Sequence, residues 1–323
     1  RRQLDRALAI RRDQDILGAT EPTASRVFLG ALLRKAREEA VFRVLELLEV
    51  AGDGPMIRNL RGRLFSRDDR RRRLALELLA EACPGSDDML PDLAALLSGD
   101  PVDPGSIDPG LELEVLARMA AESSPFLRAG AVWAAATHSD DSAAALVAHG
   151  LDDEHPLVRE TAEEADRGRR GGPLTTVETM HFLYAVPLFA NLEPEDLYEV
   201  ATLAFEETVS PPDAIVEAGD VNSDALFVIL EGRARVLPVG WDVDPADAPI
   251  VTAGRVVGEL SVLDGNPRNA TVEPVDGPVR VLRVPGPPFR SGVLRRQHIA
   301  QTLFGALTAQ IRDLSAQLSR RGS

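Results

Sequence analysis

The period of the apolar residues changes once along this chain, and that change limits the fold more than any other feature. Over residues 1–165 apolar side chains recur every three or four positions, the spacing that places them on one face of a helix. From about Glu206 the runs become short and rich in Val, Ile and Thr, bounded by Gly, Pro and Asp, which is the pattern of strands. A helical first part and a β-rich second part predict an α+β, multidomain chain. With 323 residues there is length for two domains, each with its own core.

The helical part repeats itself. Val44-Leu45-Glu46-Leu47-Leu48 with Ala51 is matched 31 positions later by Ala75-Leu76-Glu77-Leu78-Leu79 with Ala82. Pro125-Phe126-Leu127-Arg128 with Ala131 and Ala134 is matched, again 31 positions later, by Pro156-Leu157-Val158-Arg159 with Ala162 and Ala165. A Pro-rich loop at 101–110 breaks the phase between the two pairs. One period in two places predicts an α-solenoid, whose units bury their faces only by stacking on neighbours. The pattern Asp/Ser-x-Pro-x-Val-Arg-x-x-Ala resembles HEAT repeats. That resemblance covers residues 15–165 and implies a Pro at helix starts, an Arg bonding neighbouring repeats, and Ala at close approaches.

A helical repeat domain is therefore expected over 1–166, with a polar, Gly-rich linker at 167–174 and a second domain over 175–323. Thr175-Thr176-Val177-Glu178 is a capping-box pattern, and Pro194-Glu195-Asp196-Leu197 opens another helix with acids in its first turn. Strand-like runs at 208–209, 214–216, 226–230, 234–237, 250–252, 256–257, 270–272 and 279–282 predict short strands in a small roll or barrel. Glu231-Gly232 is expected to be one of its turns. Pro285-Gly286-Pro287-Pro288 reads as a breaker and hinge before a final helix at 294–318. Its apolar face carries Ile299, Leu303, Leu307, Ile311, Leu314 and Leu318.

The chemistry concentrates in 257–272. A Gly258-Glu259 pair opens a short apolar helical turn, a Gly/Asn/Pro turn follows, and Arg268 re-enters a strand. The first N–H groups of such a turn lack internal partners and suit an anion. Arg268 can offer a two-pronged donor to a phosphate, and Glu259 a fixed acceptor to a sugar hydroxyl. The order G-E-L-x-x-L-x-G-x-P-R-x-A-T-V resembles the phosphate-binding cassette of cyclic nucleotide-binding domains. Glu259 and Arg268 stand nine positions apart, as in the regulatory subunits of cyclic-nucleotide-dependent kinases. The resemblance implies that Arg268 pairs the cyclic phosphate and Glu259 takes the ribose 2′-hydroxyl. Gly258, Leu260, Ser261 and Ala270 complete the cradle, with Asn269 and Thr271 beside it. It extends over residues 175–310 through V-P-L-F-A-N-L, P-E-D-L, E-A-G-D and A-L-F-V-I-L-E-G, and implies a jelly-roll-like β-roll with flanking helices, the last acting as a lid. Asn269 stands where relatives selective for cAMP often carry Ala and those selective for cGMP carry Thr. Asn269 matches neither residue and leaves the base open; the resemblance as a whole implies cAMP as the expected ligand, with cGMP the other candidate.

Composition narrows the alternatives. Against 36 basic residues stand 51 acidic ones, a net charge of −15, which speaks against phosphate-backbone binding to nucleic acid. The run 70–73 of four Arg sits before a helix expected at 74–82 and reads as a solvated face or inter-repeat ladder. One cysteine, Cys83, forms no intrachain disulfide or multi-cysteine metal site and fits a reducing, cytoplasmic setting. His138, His149, His155, His181 and His298 lack metal-ligand spacing, and no nucleophile elbow or Walker loop occurs. No metal and no enzymatic activity are expected. Asn269-Ala270-Thr271 spells a glycosylation acceptor, set aside for want of a secretory signal. Trp133 is expected in helix packing, and Trp241 as a surface anchor. No apolar run here is long enough to insert in a membrane. Helical repeats running into T-T-V-E-x-M-x-F-L-Y-A-V-P-L-F-A resemble the soluble tails of bacterial ATP/ADP-carrier-like (major-facilitator) transporters, as does R-x-L-A-L-E-L-L-A at 72–80. That resemblance, and a start without Met, imply a fused membrane transporter as partner and a place at the cytoplasmic face of a membrane. The expectation is a regulatory sensor. The alternatives are a ligand-independent scaffold with a vestigial pocket and a regulatory subunit of a separate enzyme.

Overall fold

The structure, a computed structural model, describes residues 1–66, 68–86, 88–98, 109–168, 171–221, 224–240, 248–297, 299–305 and 308. The chain divides into two compact units, residues 1–169 and 170–323.

The first unit is helical: α1 (Arg2–Gly18), α2 (Ala24–Ala51), α3 (Gly54–Leu64), α4 (Asp69–Ala82), α5 (Leu90–Ser98), α6 (Glu112–Ala120), α7 (Pro125–Ala135), α8 (Asp141–Gly150) and α9 (Pro156–Asp166). Side chains of Thr23, Asp53, Asp68 and Asp140 accept backbone N–H groups at the starts of α2, α3, α4 and α8, satisfying donors a helix cannot satisfy itself. The Asp68 cap explains why α4 begins at Asp69 and not at Leu74, so the Arg run lies inside its first turns. Pro125 and Pro156 open α7 and α9, where a missing N–H costs nothing.

One bond recurs along this unit. Arg72, Arg128 and Arg159 each donate through Nη1 to a carbonyl six residues back, Ser66, Glu122 and Asp153, at 3.1, 3.1 and 2.6 Å. Arg128 also reaches forward and grips the Asp153 carboxylate through Nε and Nη2 at 2.7 and 2.8 Å. It thereby ties the loop before α7 to the loop before α9. Trp133 packs its ring edge against Phe28, with centroids 6.2 Å apart.

The second unit begins with α10 (Thr176–Tyr184) and α11 (Pro194–Leu203). The capping box between Thr175 and Glu178 forms as the sequence predicts. An antiparallel sheet follows: β1 (Phe205–Val209), β2 (Ala225–Pro238), β3 (Ile250–Val251), β4 (Val256–Val257) and β5 (Ala270–Pro285), in the order β1-β5-β2-β3 with β4 also on β2. Between β4 and β5 lies α12 (Glu259–Asp264).

Several expected strands are not separate. The runs at 226–230 and 234–237 form one strand, β2, and those at 270–272 and 279–282 form β5. Glu231-Gly232 is no turn. The β2–β5 register shifts there while pairing continues, and Gly232 takes φ 95° to absorb the extra residue. Asp276 and Gly277, at φ 64° and 142°, bend β5 on the other side. Residues 214–216 make only an isolated bridge, Val216 to Val272. The run 285–288 does not break the chain either. Gly286–Pro288 forms a helical turn that continues into a π-helical turn, Phe289–Val293, because Pro is tolerated in a first turn. Beyond it helix is described at 299–305, with Ile299 and Leu303 buried. Leu307, Ile311, Leu314, Leu318, His298 and Trp241 lie outside the described residues.

The roll's core gathers Ala225, Phe227 and Ile229 of β2, Val257 of β4, and Val272, Val279 and Val281 of β5. These are the alternate residues of each strand on its inward face.

Candidate functional site

The chain leaves β4 at Val257 and must turn sharply to start α12. Gly258 makes that turn in the left-handed region, φ 75°, and a Cβ there would lie 2.5 Å from Nη1 of Arg268. Gly265, φ 72°, ends α12 in the same way. The Asp264 carboxylate then accepts both the backbone N–H and the side-chain amide of Asn266, at 2.9 and 3.0 Å. Those bonds hold the Asp264 carboxyl below its ordinary range.

That return delivers Arg268, only 2 % exposed, to the back of α12. Its backbone is held at both ends: Gly219 N–H donates to the Arg268 carbonyl at 2.8 Å, and Arg268 N–H to the Asp220 carbonyl at 3.2 Å. Its side chain donates through Nη1 to the Gly258 carbonyl at 2.5 Å and through Nη2 to the Ala225 carbonyl at 2.6 Å. Burial pulls the guanidinium pKa down, against the opposing charges of Asp220, Asp224 and Glu259.

Glu259 opens α12. Burial raises its carboxyl above the ordinary range, a shift that its own backbone N–H and the charges of Arg255 and Arg268 oppose. Leu260 is 44 % exposed, and the Ser261 carbonyl accepts Gly265 N–H at 3.0 Å. Asn269 is exposed, and its carbonyl accepts Val239 N–H at 2.9 Å. Ala270 and Thr271 enter β5 opposite Pro238 and Leu237. The Thr271 hydroxyl accepts Ala218 N–H at 3.1 Å. Gly258, Glu259 and Arg268 therefore share one locality. Asn269, Ala270 and Thr271 belong to the strand that carries Arg268 away from it.

Sequence reasoning missed a second pair at this locality. Arg290 grips the Asp224 carboxylate at 2.6 and 2.5 Å and reaches the Val262 carbonyl of α12 at 3.3 Å. The Asp224 carboxyl is held below its ordinary range by that bond. Asp224 precedes β2 and Arg290 follows β5, so nothing local in the sequence joins them. Arg296, farther on, donates to Asp196 of α11 at 2.6 Å and also bonds Glu199.

Residues 206–296 match the family model of the cyclic nucleotide-binding domain. This stretch is a cyclic nucleotide-binding domain. The domain runs from β1 through α12 and β5 to Arg296 and leaves the helical unit outside the match. Among curated proteins the chain is 29 % identical over 91 residues to a cAMP-dependent protein kinase regulatory subunit of Blastocladiella emersonii, covering 28 % of this chain and 22 % of that one. It is 33 % identical over 97 residues to a cyclic nucleotide-gated potassium channel of Rhizobium etli, covering 30 % and 25 %. The chain thus spans about a quarter of the length of the curated relatives it matches. Among solved structures it is similar to the regulatory subunit of a cAMP-independent protein kinase A from Trypanosoma cruzi bound to guanosine. The identity there is 27 % and the TM-score 0.33, over 36 % of this chain and 39 % of that one.

Proposed function

We propose that this chain is a non-enzymatic sensor of a cyclic nucleotide. The observation that carries the reading is Arg268, a buried guanidinium fixed at backbone and side chain, with Glu259 nine residues earlier at the same locality. A phosphate is the anion that the planar fork of an arginine fits best. The cyclic phosphate would meet Arg268 and the amides of 258–261. The ribose hydroxyl would meet Glu259, with Asn269, Ala270 and Thr271 closing the strand side.

The same reading assigns residues 1–166 to HEAT-like repeats, 167–174 to a linker and 175–323 to the sensor. The recurrent bonds of Arg72, Arg128 and Arg159 support the repeat assignment. The repeats would convey ligand binding to a protein partner, for which a fused membrane transporter at the cytoplasmic face is the candidate. Binding can shift such a module only by its differential affinity for two states.

Calorimetric titration of the intact chain with cAMP and with cGMP tests the sensor, with Arg268→Ala in parallel and circular dichroism to verify its fold. A saturable heat that the substitution abolishes is expected. Folded protein that gives no heat with either nucleotide would overturn the reading in favour of a ligand-independent scaffold.

A further inference from the structure

Arg283 sits where the strand pattern calls for an apolar residue. On β5 it follows Val279 and Val281 at alternate positions, and both of these are in the roll's core. Cross-strand register sets it in a row: Phe205 of β1, Arg283 of β5, Phe227 of β2 and Val257 of β4. Neighbours in such a row stand about 4.8 Å apart. The residue after Val257 is Gly258, whose carbonyl holds Arg268. Two positions before Phe227 is Ala225, whose carbonyl holds the other Nη of Arg268. The row that contains Arg283 therefore ends at the phosphate site, on the inward face of the roll.

The guanidinium lies beside two aromatic rings. Its carbon lies 5.5 Å from the Phe205 ring centroid and 6.0 Å from that of Phe227, so aromatic rings from both neighbouring strands flank it. Its Nε is buried and, among the described residues, has no hydrogen-bond partner. Phe205 is 46 % exposed, which leaves this end of the row open. Arg283 also lies within electrostatic reach of Arg268. A half-buried cation beside two aromatic rings on the inward face of a roll, with its Nε unpartnered among the described residues, is an unusual element in a merely structural sheet. A planar fork asks for two acceptors side by side.

We infer that Arg283 is a specificity-determining residue, reading two adjacent acceptors on the base of the bound nucleotide. Guanine and hypoxanthine present such a pair, O6 and N7, to which Arg donates in bidentate fashion. Adenine replaces O6 by an amino donor, which would face the donors of Arg283. The inference rests on the sensor reading and deepens it: the ligand is a cyclic 6-oxopurine nucleotide, in contrast to the cAMP that the sequence led us to expect.

The test is calorimetry on the intact chain with cAMP, cGMP and cyclic IMP, the last carrying O6 and N7 without the 2-amino group of guanine. Wild type should bind cGMP and cyclic IMP alike, and both about tenfold or more tighter than cAMP. Arg283→Met, which keeps length and apolar packing, should bring the three affinities together with little change for cAMP. Arg283→Lys, which keeps charge and loses the fork, should lose most of the preference. Should Arg283→Met fail to fold, the wild-type ranking and Arg283→Lys still decide. Equal binding of all three by wild type, tighter binding of cAMP, or a preference that survives in the variants would overturn the inference and leave the sensor standing. Binding of none would remove both.

Discussion

At the scale of single residues, the site depends on one glycine. Gly258 must hold φ 75° and must lack a Cβ, because Nη1 of Arg268 occupies that space. Gly258→Ala meets two penalties, a left-handed backbone costing about 1–2 kcal/mol and a collision with the guanidinium. The variant should be destabilised by at least that amount in urea denaturation and should lose nucleotide binding. Asn266→Ala, three positions past the end of α12's apolar run, should weaken binding without a comparable loss of stability. Gly258, Glu259 and Arg268 were legible in the sequence because the whole geometry is local, one turn and one return within a dozen residues. Asp224, Arg283 and Arg290 were not legible. Their neighbours are set by strand register and by contacts across the fold, and an isolated Arg among valines looks the same whether it faces in or out.

At the scale of elements, α9 carries a pH response. His155 caps it, Nδ1 accepting Leu157 N–H at 3.2 Å, a role open only to the neutral ring. Burial lowers its pKa below the ordinary value, and the positive charge of Arg128 adds to this. A base whose folded pKa is depressed stabilises the fold above its unfolded value, about 6.5, and that contribution is lost as pH falls from there. Asp153 is held below its ordinary range first by its bond to Arg128. Its contribution is present above about 3.9 and is lost as pH falls through the lower folded value. The helical unit should therefore lose stability in two acid steps. Urea denaturation followed by helical circular dichroism from pH 8 down to about pH 2 should show both steps and should lose the upper one in His155→Asn, which caps without titrating. Arg128→Ala should cost about 3 kcal/mol, the low end for breaking a largely buried pair. The sequence revealed the helices and the Thr175 capping box, since those signals lie within a few residues, but not the Asp68 cap that sets the start of α4. It overcounted the strands because the residues that mark turns also mark bulges, and only the pairing of β2 with β5 tells them apart.

At the scale of the whole molecule, the proposed coupling makes a thermal prediction. Two compact units should unfold in two transitions. A nucleotide at 100 times its Kd should stabilise the sensor unit by about 2.7 kcal/mol. If the helical unit responds to the ligand, its transition should also move; calorimetry in which only one transition shifts would show a sensor uncoupled from its helices. The division into a helical and a β-rich unit was readable from the change of apolar period, which is a property of long stretches and survives local errors. What the helical unit does was not readable, because the spacing of apolar residues on a helix records no partner. The two-sided hold on Arg268 has a practical corollary. With its peptide group fastened to 219 and 220 and its fork to 225 and 258, Arg268 is the firmly held half of the site, and exposed Leu260 of α12 is the place to look for a response. The chain's single thiol, Cys83, is buried, so a cysteine introduced at exposed Leu260 could be labelled alone. A fluorophore there should report nucleotide arrival, while the same dye at exposed Val50 of the helical unit, outside the proposed site, should stay comparatively silent and serve as its reference.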